Sequence, residues 1–192
     1  MTRIIAGSLK GRRLRVPERG TRPTSDRVRE SIFNTLDATG LLDDGCILDL
    51  CAGSGALGLE AYSRGAQHVD LVELAAGAAR ICERNISDLG AAGVQVHRQD
   101  AVSFLRSHAA ASLCGEDCYD VVFIDPPYTD AAALIGQCAA AIRQGHLLAA
   151  DGLLIAESAS RTAPQELPGW QVWRRKDYGD TAVVWWELVG IS

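Results

Sequence analysis

Several features that would define a particular protein class are missing from this sequence. No uninterrupted apolar stretch approaches the roughly 20 residues that cross a bilayer, and the first residues, Met1 to Ile5, lack the pattern of a secretory signal. The chain also has no internal repeat and no low-complexity tract. These absences favour a soluble, cytoplasmic protein without a membrane partner.

Disulfide and metal frameworks are missing as well, although the chain has six cysteines. Most of them lie inside apolar segments, which is typical of reduced core residues. Cys114 and Cys118 form a close pair in sequence, but neither a second pair nor a clustered histidine accompanies them, so no metal site is predicted. The length of 192 residues and the apolar content of 47% are sufficient for a domain with its own core.

Positive charge is concentrated in the first 36 residues. That segment holds nine basic and three acidic side chains, a local net charge of +6, which leaves −11 for the remainder of a chain whose net charge is −5. The basic residues are Arg3, Lys10, Arg12, Arg13, Arg15, Arg19, Arg22, Arg27 and Arg29. A basic end on an acidic protein is typical of an arm that binds a polyanion, although a solvated charged face has the same composition.

From Cys46 to Ser158, apolar runs alternate with helix-like stretches, and the runs that predict strands include Cys46–Leu50, Tyr119–Ile124 and Gly152–Glu157. Repeated strand and helix units of this kind predict a mostly parallel sheet with helices on both faces, a doubly wound α/β fold. Two further β-rich runs, Trp170–Arg175 and Ala182–Leu188, with turn-forming residues 177–180 between them, predict a closing antiparallel hairpin and bring the sheet to seven strands. Trp185 and Trp186 should lie on opposite faces of the last strand.

The basic end has its own pattern. Two short stretches, 3–7 and 12–16, flank a Gly-containing loop and predict a β-hairpin with basic outward side chains. A helix should follow with Thr24 or Ser25 as its N-cap, and its apolar stripe is formed by Val28, Ile32, Phe33 and Leu36. We predict a division into a basic hairpin extension (1–22) and the α/β domain (23–192).

A group of hydrogen-bond acceptors follows the predicted strand Tyr119–Ile124. Asp125 and Pro126 come first, then Pro127 and Tyr128, and the prolines end the strand because they cannot donate to a sheet. A flat base could stack on Tyr128 while its exocyclic amine donates hydrogen bonds to Asp125 and the Pro126 carbonyl. A plain strand-ending turn would use the same residues.

A glycine loop separates the first strand of the α/β part from its first helix. Gly53, Gly55 and Gly58 match G-x-G-x-x-G, and Glu73 follows Gly55 by eighteen residues, so a dinucleotide remains a candidate ligand. Asp49, directly before the loop, would oppose a pyrophosphate and favour the cationic S-adenosyl-L-methionine. Two unit charges about 4 Å apart interact by roughly 4 kcal/mol at an effective dielectric of 20.

Two further carboxylates have a ligand role and a plainer alternative. Glu73 could accept hydrogen bonds from ribose hydroxyls, or it could be a solvated strand end. Asp100 could accept from an adenine amine, or it could cap the helix that begins at Ala101. Together with a glycine loop at the right distance, this set of acids favours S-adenosylmethionine over a dinucleotide.

Taken together, these motifs resemble Rossmann-like S-adenosylmethionine methyltransferases that act on exocyclic nitrogens. More narrowly, the blocks 3–7, 11–14, 22–34 and 178–181 are similar to the bacterial RsmD family, and this resemblance covers nearly the whole chain. It implies a class I methyltransferase fold and methylation of the N2 amine of guanine 966 in 16S rRNA. The expected partner is 16S rRNA within the 30S subunit or an assembly intermediate, with the enzyme as a monomer.

The resemblance also implies roles for individual residues. Asp125, Pro126 and Tyr128 would hold the guanine. The cofactor would be bound by Asp49, Ala52, Gly53, Gly55, Glu73, Asp100 and Thr24, and the RNA by Lys10, Arg12, Arg13, Arg22 and Arg27. Cys51 departs from the family pattern, since many relatives carry a bulkier Tyr or Phe there.

Other functions use the same motifs. A DNA amino-methyltransferase usually carries a larger target-recognition region than the 1–22 hairpin, and a protein amide or small amine as substrate would leave the basic end without a purpose. A non-catalytic RNA-binding module is a third alternative. The retained Asp49, Gly53, Gly55 and Asp125 favour an enzyme.

Overall fold

The computed structural model describes residues 2–17, 25–111, 118–126, 131–161 and 163–190. Residues named above that lie outside these ranges include Arg19, Arg22, Thr24, Cys114, Pro127 and Tyr128, so any role predicted for them stays a prediction. No helix of the described ranges is long and apolar enough to cross a membrane.

Helices and strands alternate through most of the described chain. In order, they are α1 (Asp26–Leu36), β1 (Cys46–Leu50), α2 (Ala56–Ser63), β2 (His68–Val72), α3 (Ala76–Leu89), β3 (Val94–His97), α4 (Ala101–Ala111), β4 (Tyr119–Ile124), α5 (Ala131–Gln144), β5 (Leu148–Ala159), β6 (Trp170–Tyr178) and β7 (Thr181–Leu188).

The seven strands form one sheet in the order β3-β2-β1-β4-β5-β7-β6. The first five strands of the chain run parallel, and β7 is antiparallel to both β5 and β6. The predicted fold, a mostly parallel seven-stranded sheet with a C-terminal antiparallel hairpin, is confirmed.

Helices cover the two faces of the sheet and create two core layers. Phe33 of α1 and Leu57 of α2 pack in the layer that contains Trp185. Phe104 of α4 and Ile135 of α5 pack in the layer that contains Trp186. The two tryptophans therefore lie on opposite faces of β7, as their adjacent positions predict. Because both faces are covered, the central strands are apolar throughout rather than alternating.

Helix α1 begins as its sequence predicts. The Ser25 hydroxyl accepts a hydrogen bond of 3.2 Å from the backbone N–H of Val28, so Ser25 is the N-cap. The predicted apolar stripe is confirmed, since Val28, Ile32, Phe33 and Leu36 are all buried.

The basic N-terminal segment is a hairpin. Arg3 and Arg13 form an antiparallel bridge, and the N–H of Ile4 donates to the Arg12 carbonyl at 2.9 Å. Ile4 and Leu14 point inward and join the same core layer as α1 and α2, while Arg3 and Arg13 are exposed. The prediction of outward basic side chains is confirmed.

The structure differs from the sequence prediction at the end of the chain. β5 begins at Leu148 rather than Gly152, and β6 continues to Tyr178, which pairs with Thr181. Asp177 and Tyr178 have the composition of a turn but are held in the ladder by pairing with β7. The reversal falls instead at Gly179, whose φ is 62°.

Candidate active site

Four neighbouring strands bring the predicted site residues to one edge of the sheet. In the register of the sheet, Leu50 of β1 lies opposite Val72 of β2 and Ile124 of β4. The next residues along these strands, Cys51, Glu73 and Asp125, therefore leave the sheet side by side. Ligands of open α/β sheets bind in the crevice outside these carboxyl ends.

The loop between β1 and α2 requires glycine at particular positions. Gly53 and Gly55 have φ values of 60° and 77°, in the left-handed region. A Cβ on Gly58 would lie 2.4 Å from Leu71 Cδ2, so glycine there lets α2 approach β2. Cys51 also adopts a positive φ of 65°, which is unusual for a residue with a side chain and marks local strain beside the site.

Side chains behind the glycine loop fix its backbone. The Gly53 N–H donates to Glu73 Oε2 at 2.8 Å, and the Gly53 carbonyl accepts from the Cys82 thiol at 3.4 Å. The Ser54 carbonyl accepts from Asn85 Nδ2 at 2.9 Å. Ala52 ties the loop to β2, since its N–H donates to the Val72 carbonyl at 3.0 Å. The loop is thus preorganised from both sides.

Asp49 lies beneath the loop rather than at the open edge. It is the fourth residue of β1, is 1% exposed, and its Oδ2 accepts from the Gly58 N–H at 3.0 Å. Burial is the main cause that raises the pKa of Asp49 to about 7; the Gly58 hydrogen bond acts against it, and the negative charges of Asp125 and Glu73 add to it. The carboxylate of Asp49 is therefore poorly stabilised until a positive charge comes near.

The charges of these acidic residues indicate which class of ligand can bind at the glycine loop. The negative charges of Glu73 and Asp125 both contribute to the raised pKa of Asp49. A cation between them would relieve their repulsion, whereas the pyrophosphate of a dinucleotide would add to it. The residues present therefore fit a cationic ligand such as S-adenosylmethionine.

Glu73 and its neighbour Leu74 form the next part of the edge. Besides the Gly53 bond, Glu73 accepts from the Ala75 N–H through Oε1 at 2.7 Å, which fixes its carboxylate at the strand end. Leu74 is 68% exposed, unusually open for a leucine. Sequence reasoning missed Leu74, although an apolar residue directly after a strand-end acid was a readable signal for a surface on which a flat ring can lie.

Asp100 follows β3 and caps α4. Its Oδ1 accepts from the Ser103 N–H at 2.9 Å, so the capping alternative is confirmed. A role toward an adenine amine stays a prediction.

Asp125 and Pro126 follow β4 directly, as the acceptor hypothesis requires. Asp125 is half-buried, Pro126 is buried, and the Asp125 charge acts on Asp49. Burial raises the pKa of the neighbouring Cys51 thiol to about 12, so Cys51 remains a neutral thiol at physiological pH and offers no nucleophile. Among the described residues, no group of three or more potential ligands could hold a metal ion.

The basic hairpin is fastened to the back of α2 and α3. Glu60 of α2 is completely buried, and its carboxylate accepts from the N–H groups of Ile5 at 2.7 Å and Ala6 at 3.0 Å. Arg12 donates to the Asp88 carbonyl at 2.5 Å. Lys10, Arg13 and, on α1, Arg27 are exposed. Sequence reasoning did not find Glu60 as an anchor, because nothing local to α2 indicates what covers it.

This strand order, with a glycine loop and an acidic carboxyl edge, defines a class I S-adenosylmethionine-dependent methyltransferase. The solved structure of yhhF from Escherichia coli agrees, with a TM-score of 0.82 and 31% identity over 98% of this chain and 98% of that one.

Sequence comparison gives the family. The family model described as Conserved hypothetical protein 95 matches residues 2–187. Ribosomal RNA small subunit methyltransferase D from Escherichia coli K12 is 36% identical over 182 residues, which cover 94% of this chain and 86% of the relative. YlbH from Bacillus subtilis 168 is 39% identical over 184 residues, 94% of this chain and 96% of the relative. The chain belongs to the ribosomal RNA small subunit methyltransferase D family, and the resemblance to RsmD is confirmed.

Proposed function

We propose that this protein transfers a methyl group from S-adenosylmethionine to the exocyclic N2 amine of guanine 966 in 16S rRNA. The observation that carries the proposal is that Asp125 leaves the sheet beside Glu73 and the glycine loop, with the buried Asp49 beneath that loop. The acids favour a cationic cofactor, and the acceptors after β4 favour an amine as the group to be methylated. The name of the Escherichia coli relative supports small-subunit rRNA as the substrate.

The cofactor would lie along the edge from β1 to β3. Gly53, Gly55 and Ala52 would supply the backbone against which it packs, and Glu73 would accept hydrogen bonds from its ribose hydroxyls. Leu74 and Asp100 would flank the adenine, and Thr24 would also bind the cofactor. When bound, S-adenosylmethionine supplies an electrophilic methyl group on a sulfonium centre.

The guanine would lie against Asp125, Pro126 and Tyr128. Its N2 amine would donate to the Asp125 carboxylate and the Pro126 carbonyl, which orients the nitrogen and localises its lone pair. Orientation of this kind supplies much of the acceleration in a transfer between two bound groups. Asp125 can take up the proton that the amine releases. The guanine must leave its stack to reach the edge, which an rRNA loop permits more readily than a duplex.

The hairpin would hold the RNA through phosphates. Lys10, Arg12, Arg13, Arg22 and Arg27 would contact the backbone, which positions the RNA without reading its sequence. We infer that the 1–22 segment serves as the RNA-binding extension of the catalytic domain 23–192. The protein would act as a monomer in the cytoplasm, on the 30S subunit or an assembly intermediate.

The test compares Asp125→Ala with Asp151→Asn, an exposed carboxylate on β5, as the matched control. Each variant is incubated with unmethylated 30S particles and with naked 16S rRNA, and the modified nucleotide is mapped by mass spectrometry. We expect Asp125→Ala to lower methyl transfer by about 100-fold or more, the scale of losing one preorganised polar contact to the reacting group. Cofactor affinity by calorimetry should remain within a few-fold.

Three outcomes would contradict separate parts of the proposal. Full activity of Asp125→Ala would contradict the role of Asp125 as a hydrogen-bond acceptor for the guanine amine. Methylation of another atom or nucleotide would change the substrate. An absence of S-adenosylmethionine binding by the unaltered protein would refute the enzymatic function.

A further inference from the structure

The outer edge of the sheet carries an exposed aromatic and basic surface that the site above does not use. β6 is the edge strand of the sheet, and within the described ranges it pairs only with β7. Its residues 171–174 are exposed in succession, and Trp173 is 39% exposed. The β6 surface consists of Trp173, Arg174 and Lys176. A large exposed aromatic side chain on a strand edge calls for a physical explanation.

A β-bulge at Trp173 creates this surface. Val172 lies opposite Trp186, but Arg174 lies opposite Trp185, so Trp173 has no counterpart on β7. In a regular strand, alternate residues such as Val172 and Arg174 would lie on the same face of the sheet. Here their partners, Trp186 and Trp185, belong to opposite core layers. The bulge therefore places Val172 and Arg174 on opposite faces. Arg174 and Lys176 are thereby turned to the α1 side of the sheet.

Positive charge on the β6 surface is not balanced within the described part of the chain. The Arg174 guanidinium lies 5.8 Å from the centre of the Trp173 ring, and neither Arg174 nor Lys176 forms an ion pair there. Lys176 Nζ donates to Thr35 Oγ1 on α1 at 2.9 Å. Partial burial and the adjacent Arg174 lower the pKa of Lys176. A bound phosphate would bring a negative charge that stabilises the charged form of Lys176.

The β6 surface continues onto α1. Lys176 and Tyr178 both hydrogen-bond to Ser31, and Arg27 lies one helical turn before Ser31 on the same face of α1. A basic strip therefore runs from Arg174 through Lys176 to Arg27.

The distance from the surface to Asp125 follows from the sheet register. Phe123 pairs with Ile155, Ile155 with Trp185, and Trp185 with Arg174. Three strand spacings and the two residues from Phe123 to Asp125 separate Arg174 from Asp125 by about 16 Å. A single-stranded RNA with one base bound at Asp125 can therefore reach Arg174 within a few nucleotides.

We propose that the β6 surface binds single-stranded rRNA that flanks the target nucleotide, with a base stacked on Trp173 and phosphates on Arg174 and Lys176. The inference rests on the proposed function for the identity of the RNA. Aromatic rings with adjacent guanidinium groups suit unpaired RNA, because every base has a face that can stack on them. The surface would thus contact RNA at the β6 edge of the sheet, whereas the hairpin is fastened to α2 and α3.

The test uses Trp173→Ala and Arg174→Ala, with Trp173→Phe as the variant that retains a stacking ring. Arg106→Ala, an exposed arginine on α4 in the other layer, is the charge-matched control. Binding of an unmodified single-stranded 16S rRNA fragment is measured by fluorescence anisotropy at several salt concentrations. kcat and KM are measured on naked 16S rRNA and on 30S particles, and cofactor affinity by calorimetry.

We expect Trp173→Ala to weaken RNA binding about tenfold, the scale of losing one stacked base, and Trp173→Phe to retain most of the affinity. Arg174→Ala should lower the slope of log K against log salt by about one. KM for RNA should rise in both alanine variants while cofactor affinity is unchanged, and Arg106→Ala should match the unaltered protein.

Unchanged RNA affinity in Trp173→Ala and Arg174→Ala would overturn the inference, and so would an equal loss in Arg106→Ala. A defect on 30S particles but not on naked rRNA would assign the surface to a ribosomal protein and also overturn it. If the unaltered protein methylates no rRNA, yet Trp173→Ala weakens binding of the fragment, the proposed methyltransferase function is refuted. In that case the assignment of the β6 surface as an RNA-binding site is retained.

Discussion

Asn85 of α3 and Arg15 of the hairpin are joined by two reciprocal hydrogen bonds. The Arg15 N–H donates to Asn85 Oδ1 at 2.9 Å, and Asn85 Nδ2 donates to the Arg15 carbonyl at 3.0 Å. The same Nδ2 donates to the Ser54 carbonyl of the glycine loop at 2.9 Å. One side chain, 1% exposed, therefore connects the proposed RNA-binding hairpin to the proposed cofactor loop.

Asn85→Ala should weaken both the fold and the loop. Loss of the side chain removes three hydrogen bonds to the backbone of Arg15 and of the buried Ser54, so we expect the free energy of unfolding to fall by about 2–4 kcal/mol. S-adenosylmethionine affinity should fall as well, because the loop backbone loses its support. Urea unfolding and calorimetry measure the two effects. Asn34→Ala, on the exposed side of α1, is the control, and unchanged cofactor affinity in Asn85→Ala would show that the loop does not need this contact.

Asp49→Asn should change how stability depends on pH. The pKa of Asp49 is about 7 in the fold and 3.8 ordinarily, so folding takes up a proton between about pH 4 and pH 7. The ligand-free protein then loses stability as pH rises through this window, by about 4 kcal/mol at most. Asparagine keeps an acceptor for the Gly58 N–H without the charge.

We therefore expect ligand-free Asp49→Asn to be more stable than the unaltered protein at pH 8, with the advantage shrinking toward pH 4. S-adenosylmethionine should bind the variant less tightly, since a negative charge near the cation is lost. Urea unfolding at pH 5 and pH 8 checks the sign. A difference that stays constant with pH would contradict a raised pKa for Asp49.

Gly58→Ala should destabilise the protein through crowding. The added Cβ would meet Leu71 Cδ2 at 2.4 Å and Val69 Cγ1 at 2.9 Å, contacts that force α2 away from β2. We expect a loss of about 1–3 kcal/mol in the free energy of unfolding, with weaker cofactor binding. Gly77→Ala on α3 is the matched control, because its Cβ would have no atom within 4 Å, and it should be neutral or slightly stabilising. Equal stability of the two variants would contradict the packing argument.

Glu60→Ala should release the hairpin. Glu60 accepts from Ile5 and Ala6 and also from Arg64 Nε at 2.8 Å, so its removal leaves a buried arginine without this partner. We expect about 3–5 kcal/mol lower stability and faster hydrogen exchange at the Ile5 and Ala6 amides. The control is Glu83→Ala, an exposed glutamate on α3. Unaltered exchange at both amides would mean that other contacts hold the hairpin.

Local patterns predicted much of this protein. The bounds of β1 and β4, an N-cap at Thr24 or Ser25 and the glycine loop followed from the local sequence, because apolar runs, caps and left-handed turns depend on a few neighbouring residues. The positions of Glu73 and Asp125 at strand ends were predicted for the same reason. The fold class followed from the order of these elements.

The contacts that support the site were not predicted. Glu60 and Asn85 are ordinary polar residues of their helices in the sequence, yet their partners lie 55 and 70 residues away in the chain. A local pattern cannot show which distant backbone groups need an acceptor. The same limit applies to Trp173, whose direction depends on a bulge that arises only when β6 pairs with β7.

By itself, the sequence determined which groups are available: an acidic residue at the end of each central strand, glycines where the backbone must turn, and a basic first segment. Tertiary structure alone decided how deeply those groups are buried, which hydrogen bonds they form and which charges lie near them. Asp49 lies under the loop at a raised pKa because folding removes it from water and brings the charges of Glu73 and Asp125 near it. Ionisation, burial and hydrogen bonding depend on distances across the fold, and these exist only after the strands have paired.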